Sequence, residues 1–145
     1  MLYLLDSNIL IYARVVAAAE HEGASKWLTA TLKNKEHSVA VCETSLLAFL
    51  RITTNPKAFQ PTLPLGDASE FIRNLLDHPR VRILRPTAEH YGEVLALISK
   101  HDFEGNLVMD AHLAVLANNT GATLVTNDKD FNKIPYLKTY NPLSL

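Results

Sequence analysis

Short apolar runs alternate with amphipathic segments along the whole chain, and this alternation restricts the fold more than any other feature. Four runs have the length and composition of buried strands, at residues 1–5, 38–41, 81–84 and 122–125. A shorter run at residues 138–140 is a candidate fifth strand. Strands of parallel sheets are apolar throughout because helices cover both of their faces. The runs therefore predict a mainly parallel sheet.

The segments between these strands have the spacing of helices. Apolar residues recur at helical intervals in residues 17–32, from Glu43 to the residues before Asn55-Pro56, from Gly66 onward, after a cap at Thr87, and in residues 107–117. Gly121 follows the last of them at the usual C-terminal cap position. The sequence thus predicts one α/β domain, residues 1–145, with a central, mainly parallel sheet in a three-layer α/β/α arrangement.

The composition excludes some classes of protein and leaves others open. Hydrophobic residues make up 48% of the chain and charged residues 20%, which argues against disorder. Fourteen Lys and Arg against fifteen Asp and Glu give a formal net charge of −1. Net charge therefore gives no support for nucleic-acid binding. A polyanionic partner would need a local basic patch, or a metal held among acids.

The ends and the cysteine content indicate where the protein works. The apolar run at residues 1–5 is too short for a signal peptide. No stretch approaches the roughly 20 apolar residues that cross a bilayer. One cysteine cannot form an internal disulfide, so nothing suggests an oxidising compartment. We expect a cytoplasmic protein that does not enter a membrane.

Acidic residues stand where the predicted strands end. Asp6 directly follows the first strand, Glu43 lies two residues after the second, and Asp128 follows the fourth, with Asp130 two residues further. Asp110 lies one turn into the helix that precedes the fourth strand. Ligands of open α/β sheets bind outside the carboxyl ends of the strands. Carboxylates gathered there repel one another unless a cation neutralises them, and oxygen ligands favour Mg²⁺ or Mn²⁺.

Each acid also has a purely structural interpretation. Asp6 could serve only as a helix N-cap. Asp128 and Asp130 could be turn residues, since Asx turns are common after strands. Asp110 is harder to explain in this way, because a carboxylate within an apolar helical run is costly without a partner. Taken together, the acids favour a metal site.

Two further polar residues are expected to have packing roles. Cys42 ends an apolar run and is expected to be a buried, inert thiol. His112 lies two residues after Asp110, about 200° around the helix from it. We therefore expect His112 to be a surface or packing residue and not a ligand.

Four segments resemble those of a known family when they are taken in order. They read LLDSNILI at residues 4–11, FLRITTNP at 49–56, GNLVMDAHLA at 105–114 and TNDKDF at 126–131. The first is similar to the opening of PIN domains, and the others look like the corresponding segments of VapC-type toxins. Any one of these motifs is weak evidence, but their order across nearly the whole chain is fairly specific.

The resemblance implies a Mg²⁺-dependent ribonuclease that is the toxin of a bacterial toxin–antitoxin pair. Such toxins are usually homodimers, act on structured RNA such as tRNA or rRNA, and are inhibited by a small DNA-binding antitoxin. By position, Asp6 and Asp110 match the family's principal metal ligands, and Asp128 matches its third aspartate. Asn8 and Thr126 match polar residues that support the site.

The chain departs from the family at one position. The family usually has a Glu five residues before the Arg that matches Arg51, and here that position is Leu46. Glu43, one turn earlier in the same helix, is a candidate catalytic replacement, although it could equally be a first-turn acid. Asp130 is a nearby candidate substitute for Asp128. Arg51 itself could contact a phosphate or pair with an acid.

The missing Glu keeps a rival interpretation open. A catalytically weak or inactive PIN fold would act as an RNA-binding or partner-binding module. A phosphoryl-accepting α/β domain that uses Asp6 is a second rival. The latter is disfavoured because Asp-x-Asp is expected after its first strand, and this chain has Asp6-Ser7-Asn8.

Overall fold

A computed structural model describes residues 1–144, which form five strands, six α-helices and one 3₁₀ helix. The strands are β1 (Leu2–Leu5), β2 (Ser38–Cys42), β3 (Val81–Leu84), β4 (Thr123–Val125) and β5 (Thr139–Tyr140). The α-helices are α1 (Ser7–Arg14), α2 (His21–Lys33), α3 (Glu43–Thr53), α4 (Leu65–Asp77), α5 (His90–His101) and α6 (Asn106–Thr120), and the 3₁₀ helix is Lys129–Lys133. In this range, no helix has the length and apolar character needed to cross a membrane.

The five strands form one sheet in the order β3-β2-β1-β4-β5, and every neighbouring pair is parallel. This arrangement confirms the predicted α/β class and the parallel sheet. β1 lies at the centre, so Leu4 has Ala40 of β2 on one side and Leu124 of β4 on the other. A strand in that position has a neighbouring strand on each side and is covered on both faces, which explains its uniformly apolar sequence.

Alternate residues of the strands enter two separate cores. Leu5, Val39 and Val125 point to the face that packs against α1, α2, α3 and α4. Leu4 and Leu124 point to the opposite face, where they pack against α6 and the 3₁₀ helix. α5 packs on α6 through a smaller apolar cluster. The sheet is thus the middle layer of the three-layer arrangement that the sequence predicted.

The helix ends differ from the sequence-based expectation at two places. α2 begins at His21 and not near residue 17. α5 begins at His90, and Thr87 does not cap it: the Thr87 carbonyl accepts a hydrogen bond from the His90 backbone N–H in a preceding turn. Gly121 does end α6 as predicted, with φ of 70°, a conformation that glycine adopts at little cost.

Candidate metal centre

A cleft of about 400 Å³ opens at the carboxyl ends of β1 and β4. Asp6, Asp110 and Asp128 all line it, so the structure brings together the three aspartates that the sequence singled out. They reach it from different elements: Asp6 follows β1, Asp110 lies in the second turn of α6, and Asp128 follows β4. The parallel sheet explains this convergence, because it places the carboxyl ends of neighbouring strands at one edge.

Asp6 is buried and held by hydrogen bonds to both carboxylate oxygens. Its Oδ1 accepts from the Ser7 backbone N–H at 2.7 Å, and its Oδ2 accepts from the Thr126 hydroxyl at 2.7 Å. Asp6 is also the N-cap residue of α1. Asp6 can therefore cap α1 and still bind a ligand in the cleft, because each of its carboxylate oxygens keeps a second lone pair.

Thr126 connects the groups around Asp6. Its side chain is buried, and its hydroxyl accepts hydrogen bonds from the Asp128 backbone N–H at 3.1 Å and from Asn8 Nδ2 at 3.4 Å. Asn8 also lines the cleft, and among the described residues its buried Oδ1 has no hydrogen-bond partner. The expected supporting residues thus surround Asp6, and Asn8 keeps a free acceptor. A hydrated cation would supply donors to such an acceptor.

Replacing Thr126 with Val should weaken metal binding without unfolding the protein. The substitution keeps the side-chain shape but removes the donor to Asp6 Oδ2 and the acceptor for the Asp128 N–H. Loss of a group that orients a metal ligand typically lowers metal affinity about 10- to 100-fold. Isothermal titration with Mn²⁺ measures this effect, and Thr31→Val, which removes a buried hydroxyl in α2, is the matched control. Equal affinities for Thr126→Val and wild type would contradict the orienting role of Thr126.

Asp130 lies closer to the cluster than a supporting role implies. Asp110, Asp128 and Asp130 each offer a carboxylate oxygen, and these oxygens lie within 4.8 Å of one another. Asp128 caps the 3₁₀ helix by accepting from the Asp130 backbone N–H at 2.9 Å, so this turn brings both carboxylates toward α6. Asp130 also pairs with Lys133 at 3.5 Å and does not line the cleft. We therefore treat Asp6, Asp110 and Asp128 as the main ligand set.

The electrostatics of the cleft favour a cation. The pKa of Asp110 is raised to about 6, first by burial and then by the charges of Asp128, Asp6 and Asp130, while Lys133 opposes the rise. Burial also raises the pKa of Asp6, although the hydrogen bonds from Thr126 and Ser7 offset part of this effect. Burial and repulsion between the carboxylates thus both oppose ionisation, which leaves a deficit of positive charge in the cleft. A divalent ion on these oxygen-only ligands would remove the deficit.

The wall of the cleft formed by α3 carries no carboxylate. Its lining residues share one helix face and are Thr44, Ser45, Ala48, Arg51 and Ile52. At 3.6 residues per turn, Glu43 lies about 140° and Leu46 about 160° around the helix from the centre of this face. Glu43 is exposed at the helix start, and Leu46 is buried in the core beneath α3. The structure therefore does not bring Glu43 to the three aspartates.

The structure also places Arg51, Cys42 and His112, the remaining residues discussed from the sequence. Arg51 is exposed and lines the cleft, and no ion pair within residues 1–144 involves it. Its position thus favours contact with a phosphate over pairing with an acid. Cys42 and His112 are buried, as expected for packing residues.

The comparison with known proteins shows the family of this chain. The sequence profile of the PIN domain family matches residues 3–136. Ribonuclease VapC37 of Mycobacterium tuberculosis is 30% identical over 142 residues, covering 98% of each chain. Ribonuclease VapC43 of the same species is 33% identical over 140 residues, covering 96% of this chain and 94% of that one. The chain therefore belongs to the PIN domain family and, within it, to the VapC ribonucleases.

Solved structures show the same fold at lower identity. VapBC2 from Rickettsia felis, crystallised with a DNA fragment from its promoter, aligns with a TM-score of 0.72 at 23% identity, covering 97% of this chain and 98% of that chain. VapC20 of Mycobacterium tuberculosis, described as a toxin that cleaves the sarcin-ricin loop, aligns with a TM-score of 0.71 at 14% identity, covering 94% and 97%. At these identities the likeness concerns the fold alone.

Proposed function

We propose that this chain is a Mg²⁺-dependent endoribonuclease and the toxic component of a bacterial toxin–antitoxin pair. The observation that carries the proposal is the convergence of Asp6, Asp110 and Asp128 in one cleft, where burial and the neighbouring carboxylates raise the pKa of Asp110. Membership of the VapC ribonucleases supports the reaction class. The substrate is RNA, with structured species such as tRNA or rRNA as the expected targets.

The residues of the cleft divide the work of phosphodiester hydrolysis. Asp6 and Asp110 hold the metal with Asp128 as a third ligand, while Thr126 fixes the orientation of the Asp6 carboxylate. When bound there, Mg²⁺ would lower the pKa of a water and would stabilise charge on a phosphoryl oxygen. Mn²⁺ offers the same chemistry to oxygen ligands. Arg51, across the cleft, contacts a backbone phosphate.

The expected partners follow from the same family membership. Two of the similar solved structures are VapBC assemblies, from Rickettsia felis and from nontypeable Haemophilus influenzae. We propose that a cognate small DNA-binding antitoxin inhibits this chain and that the toxin is a homodimer. Because RNA is the substrate, we expect it to act in the cytoplasm. Size-exclusion chromatography with light scattering would test the dimer.

Cleavage of purified RNA tests the proposed activity. The chain, freed of any antitoxin, should cut total tRNA or rRNA in Mg²⁺ or Mn²⁺ and leave both intact in EDTA. Restoring Mg²⁺ to the EDTA-treated protein should restore cleavage, because the ligands stay in place. RNA that remains intact under all these conditions would instead favour a PIN fold that only binds RNA or a partner. The α3 wall of the cleft has no carboxylate, and this observation favours the alternative of a PIN fold that binds without cleaving.

Glu43→Gln should leave RNA cleavage within about twofold of wild type. Glu43 is exposed and lies off the cleft face of α3, so its charge is screened by solvent. Initial rates at saturating Mg²⁺ measure the effect, with Asp6→Asn as the control that should fail. A loss comparable to that of Asp6→Asn would mean that Glu43 turns into the cleft when RNA binds, as its proposed catalytic role requires.

A further inference from the structure

A chain of hydrogen-bonded side chains runs from α5 to the cleft. His90 Nε2 lies 2.7 Å from His112 Nδ1, and His112 Nε2 lies 3.0 Å from the Thr44 hydroxyl. The Thr44 hydroxyl lies 3.3 Å from Cys42 Sγ, which donates to the Ser45 hydroxyl at 3.3 Å. Four of these side chains are buried, and the metal ligands do not take part. We call these five residues the relay.

The donor in each hydrogen bond of the relay can be inferred from the bond between Cys42 and Ser45. Cys42 uses its only hydrogen on Ser45, so the sulfur must accept from the Thr44 hydroxyl. The Thr44 oxygen must then accept from His112 Nε2–H. A neutral His112 that is protonated at Nε2 has a bare Nδ1, which accepts from His90 Nε2–H. Only one hydrogen fits between His90 Nε2 and His112 Nδ1, which lie 2.7 Å apart.

The relay leaves one hydrogen without an acceptor, that of the Ser45 hydroxyl. Its oxygen accepts from Cys42, and no acceptor for its own hydrogen is found among residues 1–144. Ser45 is 3% exposed and lines the cleft. A buried donor without a partner is costly, so a hydroxyl in this position calls for an acceptor in the cleft. Arg51, six residues further on the same helix face, adds a charged donor.

We propose that Ser45 donates a hydrogen bond to a non-bridging phosphate oxygen of bound RNA, and that His90 and His112 are positioning residues for this donor. The acceptor is a phosphate oxygen because the α3 wall offers donors and a positive charge, whereas the facing wall offers three carboxylates for a metal. Phosphate oxygens are strong acceptors for such donors. This inference rests on the proposed function for its ligand, but the direction of the relay can be tested without it.

Nuclear magnetic resonance of the wild-type protein tests the direction of the relay. Long-range proton–nitrogen spectra of ¹⁵N-labelled protein in EDTA should show His90 and His112 as neutral rings, each with its hydrogen on Nε2. This pattern makes His112 the donor to Thr44, which leaves the Thr44 hydrogen for Cys42 Sγ and the Cys42 hydrogen for Ser45. A His112 ring with its hydrogen on Nδ1 would reverse the relay, leave Ser45 without a free hydrogen and overturn the proposal.

RNA binding without turnover tests the contact itself. In EDTA, Ser45→Ala should weaken binding of a short labelled single-stranded RNA of mixed sequence by about tenfold, which is typical of a lost hydrogen bond to a charged group. Ser45→Thr, which restores a hydroxyl, should recover most of the affinity. The matched control Thr31→Val, which removes a buried helical hydroxyl away from the cleft, should bind as wild type does. A Ser45→Ala protein with a lowered melting temperature but wild-type affinity would mean that the hydroxyl is only structural.

Two substitutions at His112 separate positioning from packing. His112→Gln can keep a donor to Thr44, and His112→Leu cannot. We expect the Leu variant to lose RNA affinity as Ser45→Ala does and the Gln variant to retain most of it, and equal affinities for the two would contradict the positioning role. Failure of the proposed function looks different, since RNA would then stay intact in Mg²⁺ while these differences in binding persist.

Discussion

Asp6→Asn and Asp110→Asn should each lower the rate of RNA cleavage on the order of a thousandfold. A bound metal contributes several kcal/mol of transition-state stabilisation, and about 1.4 kcal/mol corresponds to a factor of ten in rate. Asn keeps the size of the side chain and one oxygen, which can still accept from the Ser7 N–H, so residue 6 loses only the bond from the Thr126 hydroxyl. The loss therefore reports on the missing charge and not on a disturbed fold. Single-turnover rates on tRNA or rRNA at saturating Mg²⁺ measure it.

The matched control for these variants is Asp67→Asn. Asp67 lies on α4, is exposed, and makes a long ion pair of 3.9 Å with Arg14. Neutralising it removes the same charge from a place outside the cleft, so cleavage should stay at the wild-type rate. Equal cleavage by wild type, Asp6→Asn and Asp110→Asn would show that the activity arises elsewhere or from a contaminant.

The metal-free protein should lose stability as the pH rises from about 4 to above 6, and Asp110 should account for part of this loss. The folded protein holds the pKa of Asp110 at about 6, above the ordinary value of 3.8 for an aspartate. Between these values the folded state binds more protons than the unfolded state, so the free energy of unfolding falls with rising pH. The favourable contribution is complete below about 4 and is lost as the carboxyl ionises through its folded pKa.

Asp110→Asn isolates this contribution. The variant should be more stable than wild type in EDTA at pH 8, on the order of 1 kcal/mol once solvent screening of this partly buried carboxyl is allowed for. The advantage should vanish near pH 4, where both side chains are neutral. Urea denaturation at the two pH values measures it, and added Mg²⁺ at pH 8 should stabilise the wild type but not the variant. A pH-independent difference would contradict the assignment of the raised pKa.

Strand positions and the sheet type could be predicted because they depend on simple patterning. β1 is apolar on both faces and β4 follows a glycine cap, so their places could be read from residues 1–5 and 121–125. The first residues of α2 and α5 could not be predicted. A turn precedes each helix, and the spacing of apolar residues does not distinguish such a turn from the helix itself. One domain spanning residues 1–145 stays a prediction.

Site residues that lie just after a strand were the easier ones to predict. Asp6 and Asp128 inherit their position from the sheet, whereas the role of Glu43 depended on the rotation of α3 about its axis. Counting 100° per residue places Glu43 only 80° from Arg51, so the sequence alone did not decide which side of α3 faces the cleft. The closeness of Asp130 to Asp110 depended on the turn that Asp128 caps, for which the Asp-x-Asp spacing was the only signal.

The relay was not predicted, because it depends on contacts between residues far apart in sequence. His112 was expected to pack, and it does, but nothing local indicated that His90 or Thr44 would meet it. Each of these three residues lies on a different helix. Such a network becomes visible only once the helices are packed.

The location of a bound metal tests the central claim most directly. Crystals of the protein soaked in Mn²⁺, with diffraction collected at the manganese absorption edge, should give an anomalous peak in the cleft, bound by oxygens of Asp6 and Asp110 with Asp128 beside them. The same experiment on Asp110→Asn should lose that peak. A wild-type peak at another group of acids, or none in the cleft at saturating Mn²⁺, would contradict the proposed metal centre and the ribonuclease mechanism that depends on it.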